Sequence, residues 1–219
     1  MAATRLHVAR TTAAAVSPAF DAECDSTGTA ARRAMSVAGF NETVSALSAS
    51  NGSATANLDT LNFQFVSDAI APGPIAGTLK GQFQALEGSA TLDARIQMIV
   101  RVVSNDGSTF RGTLYGPDTA ALSSEFSTTR QNRNAPRGGA VSLSSVSAQA
   151  NDRIVIEIGY RNHLAVSNAA SIFAGGLTAD SDLPEDETTT STSGFKPWFE
   201  FSEDLYTSRL RGARAYILD

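Results

Sequence analysis

The sequence predicts an all-β chain: an antiparallel β-sandwich of jelly-roll type with extended N- and C-terminal arms. Three observations lead there. The strongest apolar patterns repeat every second residue, turn-forming clusters separate them at short intervals, and no segment carries a long helical period. The 219 residues suffice for one large β domain, and a hydrophobic content of 42% suffices for a packed core.

The first twenty residues, MAATRLHVARTTAAAVSPAF, hold Arg5 and Arg10 but no acid before Asp21. They contain no apolar stretch of secretory length, and no run in the chain nears the roughly 18 residues that span a bilayer. The expectation is an N-terminal arm and first strand over 1–20, in a protein made and folded in the cytoplasm. Residues 30–50, AARRAMSVAGFNETVSALSAS, fit a short helix and an irregular strand alike. LNFQFVS follows, with Leu61, Phe63 and Phe65 alternating, and then the turn cluster APGP at 71–74.

In PIAGTLKGQFQAL, Ile75, Leu79, Phe83 and Ala85 alternate with Thr78, Lys80, Gln82 and Gln84. In DARIQMIVRVVS, Ala94, Ile96, Met98, Val100 and Val102 form the apolar set. SNDGST then predicts a hairpin turn into TFRGTLYG, because Asp and Gly accept the positive φ of tight hairpins. GAVSLSSVSA adds a shorter strand. RIVIEIGYR places Ile154, Ile156, Ile158 and Tyr160 on one face. ASIFAGG and PWFEFS complete about eight strands, the last with Phe199 and Phe201 facing one way and Trp198 the other. No repeat or linker divides the chain, so one domain over 21–205 is expected, with a C-terminal tail over 206–219.

Charge and sulfur content narrow the partners. A net charge of −5 offers no footprint for a nucleic-acid backbone or an anionic membrane. The single cysteine, Cys24, excludes an intrachain disulfide and a thiolate-rich metal site, and reads as a small buried or incidental residue. No nucleophile elbow or phosphate cradle is present, and the two histidines, His7 and His163, read as surface or strand-end residues. The expectation is a protein that is not an enzyme and carries no cofactor.

The acidic stretch DSDLPEDE invites a metal. Asp180, Asp182, Glu185 and Asp186 offer oxygen ligands for a structural Ca²⁺, although Glu185 stands where an EF-hand needs glycine. A solvated loop ranks ahead of calcium, and catalysis ranks last, since paired carboxylates for hydrolysis must face each other across a cleft. Three further groups are interaction candidates. Arg130, Arg133 and Arg137 of TTRQNRNAPRGG sit on a polar loop able to meet an acidic neighbour, with a plain exposed loop ranked ahead. Trp198, pointing away from the core, could stack on a ligand or lie under another subunit, with Tyr115 and Tyr160 as companion platforms. Tyr206 and Tyr216 belong to the arginine- and tyrosine-bearing tail, which could dock on its own domain or a neighbour. The sequons at Asn41 and Asn51 matter only in a secreted eukaryotic protein.

The phrases ARTTAAAVSPAFDAECDSTGTAARRAM, RIQMIVRVVSNDGSTFRGTL, ANDRIVIEIGYR and DLPEDETTT with PWFEFSEDL resemble a group of tailed-bacteriophage virion proteins, of the minor-tail or structural type. The resemblance runs to about Leu205 and implies a β-sandwich assembled on the virion surface. It carries over no catalytic residues. Its implied partners are other virion proteins and further copies of the chain, and its implied location is the virion, after assembly in the host cytoplasm. The alternative from another class is a carbohydrate-binding module for a host glycan, which the sandwich architecture also hosts.

Overall fold

A computed structural model describes residues 3–117, 125–190 and 194–207. The described elements are all strands: β1 (Thr4–Ala13), β2 (Ala31–Ser36), β3 (Glu42–Ser50), β4 (Asp59–Ser67), β5 (Gly73–Ile75), β6 (Thr78–Glu87), β7 (Ala94–Val103), β8 (Phe110–Tyr115), β9 (Gln131–Asn134), β10 (Val141–Ser142), β11 (Val146–Ala148), β12 (Arg153–Asn162), β13 (Ala169–Gly176), β14 (Ser181–Asp182), β15 (Phe195–Lys196) and β16 (Trp198–Phe201). The all-β sandwich expected from alternation is the fold. The ambiguous stretch 30–50 is two strands, β2 and β3. The predicted hairpin joins β7 to β8, with Gly107 at φ 77°.

One hydrogen-bonded path runs β3-β13-β6-β16-β1-β2-β4-β12-β7-β8, and it folds over at β1 and β2 to make two layers. β9 pairs with β6 across Gln82–Ala85, so β16 at Gln82 and β13 at Gln84 must share the opposite edge of β6. Pairing is antiparallel except between β2 and β4 and between β14 and β15. That corrects the all-antiparallel expectation. β2 and β4 are joined through β3, which pairs with β13 at the far end of the path, and such a crossover returns the chain in the same direction where a hairpin would reverse it.

Between the layers, alternation does what the sequence pattern promised. Phe63 and Phe65 of β4 meet Phe83 of β6 and Phe199 of β16, with Phe65 6.2 and 6.4 Å from the latter two rings and Phe83 to Phe199 at 4.8 Å. Around them lie the alternating sets of β7 (Ile96, Met98, Val100, Val102) and β12 (Ile154, Ile156, Ile158, Tyr160), all buried. Each such side chain contributes about 1.5–3 kcal/mol of transfer free energy.

The open end of the sandwich is closed by side chains. A bulge opposite Ile158 and Gly159 adds Asn62 to β4 and turns its amide toward the other layer, where it donates to Leu47 O at 2.8 Å and Ala170 O at 3.1 Å. Arg10 donates to Ala46 O at 2.8 Å and the Tyr160 hydroxyl to Ala49 O at 3.0 Å. These bonds occupy carbonyls of the edge strand β3 and blunt it.

Both outer faces are covered by the chain itself. The first strand expected within 1–20 is Thr4–Ala13, an integral part of the sheet that begins almost at once; the extended crossing segment is 14–30, laid over β4, β12 and β7. Ala14 and Val16 pack on Val66, Val103 and Val155. Further on, Ala19 O accepts from Gln64 at 3.3 Å and Arg101 at 3.0 Å, and the Asp21 amide donates to Glu157. This cover explains why every residue of β4 is buried although only alternate ones face the core.

Candidate functional site

The other outer face is built by alternation as well. Arg5 and His7 of β1, Trp198 and Glu200 of β16, Lys80, Gln82 and Gln84 of β6, and Asn132 and Asn134 of β9 point away from the aromatic core in adjacent register. Across them lies the acidic stretch, residues 181–190, as an extended strap. β14 starts it, pairing with β15, and Leu183 N donates to Lys196 O at 3.0 Å. Leu183 is its apolar anchor, only 2% exposed.

The sheet face reads the main chain of the strap. Trp198 Nε1 donates to Leu183 O at 2.9 Å. With its amide oxygen and nitrogen exchanged, and those of Asn134 exchanged with them so that an N–H faces the Gln82 oxygen, Gln82 donates to Pro184 O at 3.3 Å and Asp186 O at 3.0 Å. Arg133 Nη1 donates to Glu187 O at 2.5 Å, and the Asn132 backbone amide to Thr189 O at 2.9 Å. Five carbonyls within seven residues are thus bound by donors of the sheet.

Charge complements the backbone contacts. Arg5 reaches Asp182 at 2.7 Å and Glu200 at 2.7 Å, and its guanidinium lies 3.9 Å over the Trp198 ring. His7 Nε2 is 2.9 Å from Asp182, and Lys80 is 2.6 Å from Glu185 and 3.4 Å from Glu200. Burial alone would lift the Asp182 pKa, but the bonds from Arg5 and His7 outweigh it and hold the carboxyl below its ordinary value. The Glu185 partner raises Lys80 against partial desolvation. Burial lowers Arg133, whose guanidinium is held by carbonyl oxygens of Asn132, Glu187 and Glu125.

Several expected sites stand elsewhere. Trp198 does point away from the core, but it is 1% exposed because the strap roofs it, so it is neither an open sugar platform nor a free subunit contact. Tyr160 is buried, and Tyr115 packs half-buried on the core. Arg133 and Arg137 are buried, not exposed on a loop; β9 turns Arg133 inward, where it donates to Glu187 O of the strap and to Glu125 O. Arg130 is half-buried, donating to Gln84 Oε1 at 2.6 Å and lying 4.2 Å over Phe173. Tyr206 is exposed, and its amide donates to Asp204. Tyr216 lies outside the described residues. His7, expected at the surface of an arm, is mid-strand and bonded to Asp182.

The four carboxylates proposed for calcium diverge. Asp180 accepts from Leu177 N, Asp182 from Arg5 and His7, Glu185 from Lys80, and Asp186 from the Thr188 and Thr189 amides and Asn132. Among the described residues, no three acidic, histidine or cysteine side chains converge as metal ligands. The stretch is therefore an anchored strap and not a solvated loop. Beneath the N-terminal crossing segment, Glu157 gathers Arg101 at 2.5 Å, Gln64 at 2.8 Å and the Asp21 amide at 3.1 Å; Cys24 Sγ is 3.8 Å away, and burial pushes its thiol up and out of the reactive range.

The residues missed from sequence were Arg5, His7, Glu200 and Leu183. Their signal was the polar half of each alternation, but which polar halves lie side by side depends on strand order.

No family model matches the chain, and no curated protein matches it. Among solved structures, it is similar to a CocE/NonD family hydrolase from Staphylococcus aureus at 5% identity, covering 92% of this chain and 36% of that one with a TM-score of 0.43. A second structure of a hydrolase of that family from the same organism gives 5% identity, 77% and 34% coverage and a TM-score of 0.41. The infectious bursal disease virus VP2 subviral particle follows at 12% identity, 88% and 43% coverage and a TM-score of 0.18. The chain thus spans less than half of each of these proteins, and at such scores their activities stay with them.

Proposed function

We propose that the chain is a non-enzymatic structural protein of a tailed-bacteriophage virion, a minor-tail or head-decoration unit that works through contacts with neighbouring virion proteins and further copies of itself. The observation that carries this reading is how the chain uses its polar groups. Trp198, Arg133, the strap carboxylates and Glu157 are all engaged in fastening extended segments onto the two outer faces of the sandwich. Such a doubly strapped sandwich suits a load-bearing surface unit, which needs closed edges and a rigid frame.

The phrases that carry the resemblance to virion proteins fall on the frame: the β7–β8 hairpin, β12, and the strap with β16. Exposed apolar side chains at Val37, Phe110, Leu164 and Leu177 stand at strand ends and connections, where contacts with neighbours form. A host-glycan site is the less supported reading, because it needs an open aromatic platform and Trp198 and Tyr160 are buried within their own chain.

The test is mass spectrometry and cryo-electron microscopy of purified particles with and without the gene product. Density and peptides at stoichiometric level are expected, in a shell position for decoration or a ring around the tube for a tail role. Absence from purified particles refutes the proposal, and saturable binding on a glycan array would shift it to the rival.

A further inference from the structure

The strap contact has the chemistry of peptide recognition more than of loop closure. A loop that merely connects two strands leaves most of its carbonyls to water or to its own turns. Here donors from β6, β9 and β16 bind the carbonyls of residues 183, 184, 186, 187 and 189, while cations at two points match Asp182 and Glu185. Backbone contacts supply affinity, and the Leu183 anchor and the charge spacing supply selectivity, as in other modes of extended-peptide capture. Without a strap, Trp198 Nε1, the Gln82 amide and Arg133 would be donors under an uncovered face.

We propose that the outer face formed by β1, β16, β6 and β9 is a recognition site for an extended acidic segment, filled in the isolated chain by residues 182–189 and in an assembly by the same segment of a second copy. The second copy is the occupant because its sequence is the one the face fits, contact for contact. Exchange between copies replaces each cis contact by an identical trans contact, so concentration against the effective concentration of the tethered strap decides the outcome. The inference stands whether or not the protein belongs to a virion.

The test uses the full chain. Leu183→Gly loosens the strap and leaves the face intact, whereas the Arg5→Glu/Lys80→Glu chain keeps its strap and reverses the face. A labelled peptide of sequence DSDLPEDETTT is added to the Leu183→Gly chain and followed by anisotropy and by Trp198 emission. Saturable binding is expected, at least tenfold weaker for a peptide bearing Leu183→Gly and weakened by salt. Mixing the two full-length variants is expected to give a 1:1 heterodimer in sedimentation velocity. If the Leu183→Gly chain keeps the circular dichroism of the wild type but takes up no peptide at millimolar concentration, the recognition site is refuted. Peptide uptake without a heterodimer refutes the second copy as occupant. Should Leu183→Gly not fold, Asp182→Asn/Glu185→Gln replaces it, since that variant keeps the apolar anchor.

Discussion

Glu87, the last residue of β6, is 2% exposed and accepts a hydrogen bond from the Ala94 amide at 3.1 Å. Burial pushes its pKa up to about 7 from 4.5; the Ala94 bond opposes this, and the neighbouring acids Glu125 and Asp93 add to it. A carboxyl whose folded pKa lies above its unfolded value binds more protons when folded. Its contribution is therefore complete below about pH 4.5 and is lost as pH rises through about 7. Between pH 5 and pH 8 the loss is about 2.5 kcal/mol.

Glu87→Gln mimics the protonated form, with an oxygen for the Ala94 amide and an NH₂ for Glu125. The gap in unfolding free energy between variant and wild type should move by about 2.5 kcal/mol in favour of the variant from pH 5 to pH 8. Urea unfolding followed by the single tryptophan, Trp198, measures it at both pH values. A gap that stays constant within about 0.5 kcal/mol would show that Glu87 does not titrate in this window and would sink the argument.

Three further outcomes are expected. Partial burial alone would raise the Glu42 pKa, but the Thr12 hydroxyl and the amides of Thr11, Arg10 and Thr12 donate to the carboxylate and hold its pKa at about 2, so its contribution is present above pH 4.5 and lost as pH falls through about 2. After allowance for its partial exposure, Glu42→Gln should cost about 1–2 kcal/mol at pH 7 and nothing near pH 2, read from thermal melts across that range. Gly159→Ala should cost about 3 kcal/mol or more in urea unfolding, because a Cβ there would lie 1.9 Å from Thr60 O on the bulged β4; a cost under about 1 kcal/mol would contradict that geometry. Trp198→Phe removes the donor to Leu183 O and should cost about 1.5–3 kcal/mol, with amide exchange accelerating in residues 183–187 while β12 stays protected.

How far the sequence could be read depended on whether a feature is local. The alternation of β7 and β12 placed their core faces correctly, because period two is a property of one strand. The turn into β8 was legible from Asp106 and Gly107 for the same reason. The strap was not. Its acids looked like a solvated or calcium-binding cluster because nothing in DSDLPEDE names Arg5, His7, Lys80 or Asn132 as partners, and these lie 54 to 177 positions away in the chain.

What the sequence determined by itself was the all-β class, the inward faces of the long strands and the exclusion of a disulfide within these 219 residues. These follow from residue type and spacing. Tertiary structure alone decided that β1 lies between β16 and β2, that β2 runs parallel to β4, and that Trp198, Arg133 and Arg137 are buried. The physical reason is that alternation says only which side chains share a face. Whether a polar face meets water or a covering segment depends on which distant stretch is laid across it, and that is fixed by strand order and by carbonyls that carry no residue identity.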